Sequence, residues 1–182
     1  MINRITVPGS YSCKSIYNYW MSKCSDNVVA TRAQINPNEI KHILPLIAMM
    51  DVIDDGNDFR VRLIGSEVQR YLKHNCTGER LSECGEFESK VLLPWYKLLL
   101  REKKAIMGTI DTRQEEMNIS FDGEIISMPL MNAKNTEVSI ILSVIVRANH
   151  WSKLTPVQKK IRQSKSRESE GVLAETANPL LL

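Results

Sequence analysis

The chain has 182 residues, 43% of them hydrophobic and 25% charged, the size and balance of one folded domain with extensions. Its net charge of +3 sits at the C-terminal end, where six basic residues (Lys153, Lys159, Lys160, Arg162, Lys165, Arg167) face three acids (Glu168, Glu170, Glu175). The body is therefore formally neutral, which argues against a nucleic-acid-binding domain with its basic face. No apolar run reaches the roughly 18–20 residues of a membrane span; the longest, Val138 to Val146, is broken by Ser139 and Ser143 and has strand length. The N-terminus lacks the apolar stretch of a signal peptide. Four cysteines, Cys13, Cys24, Cys76 and Cys84, form no Cys-x-x-Cys pair and have no histidine at finger spacing. They read as reduced thiols of a cytoplasmic protein, with no metal site.

In chain order, residues 1–13 lack periodicity and are expected to form a flexible arm. Ile16, Tyr17, Tyr19, Trp20 and Met21 sit at helical spacings, which predicts a short amphipathic helix over Lys14 to Cys24. Asn36 as N-cap, Pro37 in the first turn and Glu39 predict a second helix, buried through Ile40, Ile43 and Leu44 and broken by Pro45. Leu46 to Ile53 and Phe59 to Ile64 flank the turn signal Asp54-Asp55-Gly56-Asn57 and predict an antiparallel hairpin. In its second strand Phe59, Val61 and Leu63 share one face, and Arg60 and Arg62 the other.

A short helix over Glu67 to Lys73 and a brief turn at Leu81 to Cys84 precede the strongest helical pattern, Glu86 to Lys104, which Pro94 should kink or divide. Strands follow at Ile106 to Thr112, Met117 to Phe121, Glu124 to Met131 after a turn at Asp122-Gly123, and Glu137 to Arg147. Counting Ile106 to Phe121 as one interrupted strand gives five. Residues 14–150 thus form the domain, and 151–182 a basic, largely disordered tail with a short helix from Thr155-Pro156 to Gln163. That tail could meet an acidic partner or remain solvated.

Two strands, a block of helices and three hairpin-joined strands is the order of a PAS domain. Tyr19-Trp20, the pattern IxPxxIxxxLP from Ile35 to Pro45, FRVRLIGSEV from Phe59 to Val68, and CTGERLSE from Cys76 to Glu83 resemble a bacterial PAS family found mainly in alphaproteobacteria, often as a stand-alone domain. The resemblance runs from about Ile16 to Arg147 and departs from the family pattern at YLKHNC, before Thr77-Gly78. It implies an α+β fold: a five-stranded antiparallel sheet with helices over one face, an added N-terminal helix, a small cavity, and a sensory or interaction role.

In such a fold, sheet residues pointing at the helices line the cavity. Alternation nominates Phe59, Val61, Leu63, Met128 or Ser127, and Leu142 or Val144, faced by Tyr71, Leu92, Trp95, Tyr96 and Leu99. The same side chains could instead simply fill the core. Haem would need a cavity-facing histidine, whereas His42, His74 and His150 all read as surface residues. HNCTGE at His74 to Glu79 lacks the Arg, Phe, Leu and Gln of a flavin photoreceptor helix, so no cofactor is expected. No phosphate loop, GxSxG or His-Glu metal motif occurs, and the acids Asp51, Asp54, Asp55 and Asp58 miss calcium-loop spacing; the chain is not expected to be an enzyme.

The last strand is apolar on both faces, with Val138, Ile140, Leu142, Val144 and Val146 opposite Ile141 and Ile145. An antiparallel sheet with one wet face should be more polar. The second face therefore needs a cover, either the N-terminal helix with Tyr17 and Trp20 or a second copy of the chain. Two functions remain open: a single-domain sensor that binds a small apolar or amphipathic ligand and acts in trans on a partner protein, or a ligand-free dimerisation and interaction module.

Overall fold

The structure, a computed structural model, describes residues 2–25, 28–72, 74–113 and 119–148. Six strands occur among them: β1 (Ile2–Ile5), β2 (Ile47–Ile53), β3 (Asp58–Ile64), β4 (Ile106–Asp111), β5 (Asp122–Met131) and β6 (Val138–Arg147). They form one sheet in the order β1-β4-β5-β6-β2-β3, every neighbouring pair antiparallel. Lys73 as a helix end, the strand start at Met117, His150 and the tail 151–182 lie outside the described residues.

The strand count differs from the expected five at the N-terminus. Ile2 to Ile5 are no flexible arm: they pair with β4 from Ile2↔Ile110 to Ile5↔Met107. Ile2 packs against the core and Arg4 binds Glu102 at 2.6 Å, so contacts distant in sequence order a segment whose own pattern is too short to read. Ser10 then caps helix α1 (Tyr11–Lys23) by accepting a hydrogen bond from the Cys13 amide at 3.2 Å. The helix expected after Asn36 is a set of short 3₁₀ turns, including Pro37–Ile40, with Asn36 as its cap.

Asp122-Gly123 is not a turn. It lies inside β5, where Asp122 pairs with Asp111 and Gly123 with Ile110 and Arg147. A β-carbon on Gly123 would come within 2.3 Å of the Val146 carbonyl and 2.5 Å of the Phe121 ring. Glycine is there because backbone and ring close in on it.

Over one face of the sheet lies a cap of α2 (Ser66–Leu72), α3 (Leu81–Cys84), a π-helical turn at Glu88–Leu92 and α4 (Leu93–Glu102). The division falls just before Pro94, as its missing amide requires. Ahead of it the Leu93 amide donates to the Glu88 carbonyl, one residue further back than in an α-helix. Cap and sheet bury a common cluster that includes Met50, Phe59, Val61, Tyr71, Leu92, Trp95, Tyr96, Leu99, Ile141 and Ile145.

The opposite face is equally dry. Pairing sets Ile126, Met128 and Leu130 beside Val144, Leu142 and Ile140 on that side. All six are buried. Helix α1 covers this face with Cys13, Ile16 and Trp20, and the Trp20 indole donates to the Pro129 carbonyl at 3.0 Å. This reverses the sides expected for β6: Ile141 and Ile145 face the cap, and Leu142 and Val144 face α1. Both faces are apolar, so alternation fixes only that neighbours oppose each other.

Truncating Trp20 should therefore behave as a core deletion. Trp20→Ala is expected to lower unfolding free energy by about 3–5 kcal/mol in urea titrations. A loss below about 1 kcal/mol, the scale of a surface change, would show that α1 is a dispensable cover.

Candidate functional site

Between the cap and strands β2 and β3 the structure leaves one small void of about 10 Å³, room for roughly one water molecule. Its wall is apolar, with Met50, Val61, Ile64, Leu72, Leu92 and Ile145 among its members, except for Cys76 and Glu88.

Of the predicted lining residues only Val61 and Leu92 reach this void. Phe59, Tyr71, Trp95, Tyr96 and Leu99 belong to the same buried cluster but fill space, with Phe59 and Tyr96 packed edge to face at 5.4 Å between ring centroids. Leu63 is 42% exposed. The reason is a bulge: Met49 pairs with Leu63 but Met50 with Val61. The extra residue, Arg62, flips the alternation and puts Ile64 in the wall instead. Met128, Leu142 and Val144 lie under α1, while Ser127 and Ser143 share the cap side.

There the Trp95 indole donates to Ser127 Oγ at 2.9 Å, and the Ser127 and Ser143 hydroxyls are 2.7 Å apart. Tyr96 is wholly enclosed; its hydroxyl neighbours Ser143 without hydrogen-bonding geometry, and burial pushes it up to about 12. Of the residues expected to form an interface, Trp20 is buried, Tyr17 stacks on it at 6.2 Å, and Ile141 and Ile145 are inside the core. The three buried side chains, Trp20, Ile141 and Ile145, are not available to a second copy.

The acids of the β2–β3 hairpin split into two roles. Asp51 pairs with Arg62 at 2.5 Å. Asp58 is buried, accepts from the Ser82 hydroxyl at 2.7 Å and Arg80 Nε at 3.0 Å, and so ties α3 to the sheet. Burial alone would raise its pKa, but the donors from Ser82, Phe59 and Arg80 together hold it below its usual value.

Glu88 is the residue that sequence reasoning missed. It stands on the π-helical turn with 1% of its side chain exposed, and neither carboxylate oxygen has a hydrogen-bond partner. Its signal was readable, since Glu88 falls three and four residues before Val91 and Leu92 on the apolar stripe. His74 Nε2 lies 3.4 Å from Glu88 Oε1, while His74 Nδ1 lies 2.8 Å from the Leu72 carbonyl. Cys76 is buried beside them, and the donor atoms of His74, Cys76 and Glu88 all lie within 4.8 Å of one another. Burial pushes the Glu88 carboxyl above its ordinary range, and its own backbone amide and nearby His74 offset only part of this. Burial likewise raises the Cys76 thiol, with contact to the Cys84 thiol pulling the other way.

A helix-capped antiparallel sheet with a small interior void is the architecture of a PAS-type fold. The PAS domain family model matches residues 9–145, and the chain belongs to that family. Solved structures similar to it include a sensory box sensor histidine kinase from Vibrio cholerae, 9% identical, covering 59% of this chain and 85% of that one with a TM-score of 0.43. An RNA-binding light-oxygen-voltage receptor is 12% identical over 81% of this chain and 43% of its own, with a TM-score of 0.47. The PAS domain of Bordetella pertussis BvgS is 9% identical over 74% and 99%, with a TM-score of 0.43. No curated protein sequence matches the chain.

Two predictions follow from these groups. Ser127→Ala leaves the buried Trp95 N–H without its acceptor and should cost about 1–3 kcal/mol, measured by chemical denaturation. For Glu88, the folded protein holds its proton to higher pH than the unfolded chain does. Rising pH therefore ionises the unfolded chain first and draws the equilibrium towards it, so stability falls as pH climbs above the ordinary value of 4.5. His74, Cys76, Cys84 and Tyr96 surround the carboxyl and remain in both proteins compared. In Glu88→Gln, with a chelator present, that part of the fall is absent, and the variant gains on the wild type as pH rises above the ordinary value of 4.5. A stability difference independent of pH would refute it.

Proposed function

We propose that this chain is a non-catalytic PAS signalling module that acts on a partner protein in trans and, in its resting state, holds no metabolite-sized ligand. The supporting observation is the filled core: its void of about 10 Å³ compares with the roughly 300–1,000 Å³ of small-molecule pockets. An apolar or amphipathic metabolite would have to displace Leu92, Trp95 or Tyr96 from close packing. What this cap offers a partner is therefore its shape, set by α2, α3 and the π-helical turn over β2 and β3. Four cysteines without disulfides suit the reducing cytosol. No helix among the described residues is long and apolar enough to cross a membrane.

Native mass spectrometry of the full chain, gently released from its own host, tests this reading. The expected spectrum contains the polypeptide without any organic adduct, and a population joined to a second, different polypeptide. A stoichiometric organic adduct would overturn the ligand-free state and restore the apolar-ligand sensor. Finding the chain only alone after cross-linking in the host would overturn action in trans.

A further inference from the structure

We propose that His74, Cys76 and Glu88 form a binding site for one divalent transition-metal ion of the zinc type. This goes beyond the signalling reading and stands independently of it. The hydrogen-bond pattern carries the proposal. A carbonyl can only accept, so the 2.8 Å contact from His74 Nδ1 to the Leu72 carbonyl places the ring proton on Nδ1. Nε2, the other ring nitrogen, faces Glu88 Oε1 at 3.4 Å, and neither atom has a hydrogen-bond partner. A ring nitrogen and a carboxyl oxygen aimed at each other in a buried site without a hydrogen bond are two ligating atoms converging on one point, where a metal cation can bind. A histidine whose second ring nitrogen is anchored to a backbone carbonyl is the usual arrangement of a metal-ligating imidazole.

The donor set and spacing agree. Imidazole, thiolate and carboxylate together suit zinc, with bonds of about 2.0–2.1, 2.3 and 2.0–2.2 Å. Tetrahedral geometry then separates donors by roughly 3.3–3.7 Å. The His74–Glu88 edge already has that spacing, and the remaining edges, within 4.8 Å, need to close by about 1 Å at most. Gly85 makes the approach possible: a β-carbon there would stand 2.8 Å from Glu88 Oε2. The fourth position falls to a water, for which the void lined by Cys76 and Glu88 has room. Binding exchanges metal for proton at Cys76: the S–H bond is lost, a sulfur–metal bond forms, and the proton leaves to solvent.

The test uses the full chain, purified without a histidine tag and stripped by chelator, then titrated with Co²⁺ and Zn²⁺. One ion per chain is expected, with a thiolate-to-cobalt charge-transfer band that Zn²⁺ abolishes by displacement. Cys76→Ser should remove the band, and His74→Gln and Glu88→Gln should each weaken Zn²⁺ affinity at least about tenfold. Cys24→Ser and His42→Gln should change neither. Absence of stoichiometric binding, a band that survives Cys76→Ser, or equal weakening in the two controls would overturn the site. If the site variants fail to fold, the wild-type protein decides alone: cobalt bound without a thiolate band refutes the assignment. A lone proton shared by His74 and Glu88 predicts no stoichiometric cobalt binding, which overturns the site.

Discussion

The β5–β6 ladder, running from Gly123↔Arg147 to Met131↔Val138, is buried on both of its faces, and the rest of the molecule is arranged to keep it so. One face is closed by the cap and the other by α1. An antiparallel sheet with two dry faces departs from the half-wet pattern such sheets usually show. It requires three layers where composition alone suggests two. Buried polar groups along the ladder are accordingly paired across layers: Ser127 and Ser143 with Trp95 towards the cap, and Glu124 with the amides of Gly9 and Ser10 towards α1.

Against that background Glu88 is an exception. Its carboxyl is as buried as the serines but has no donor, although the π-helical turn that carries it breaks the regular helical bonding at its own carbonyl. Ser127, Ser143, Asp58 and Glu124 all find partners, whereas the Glu88 carboxyl, like the Tyr96 hydroxyl, does not. Glu88 lies beside a small void of the core and against His74 and Cys76.

The small size of the void gives the PAS fold a particular character here. Phe59, Trp95, Tyr96 and Leu99 occupy the space that a larger ligand would need, at interior packing densities that leave few gaps larger than water. Change in such a core is a matter of atoms and protons before it is a matter of metabolites. The exposed Leu63 and the buried Ile64 make the same point on the sheet, where a single inserted residue decides which side chain meets the cavity.

Local periodicity by itself determined the hairpin β2–β3, helix α1, the division of the long helix near Pro94 and the order of strands that identifies a PAS domain, because each rests on neighbours within one or two turns of chain. Tertiary structure alone decided the sixth strand at Ile2–Ile5, the strand placement of Gly123 and the orientation of β6, since a strand apolar on both faces contains no mark of which side meets which layer. The polar cluster was equally out of reach. His74, Cys76 and Glu88 have no motif spacing, and a loop and a π-helical turn bring them within 4.8 Å. Sequence separation says nothing about proximity once the chain has folded back on itself.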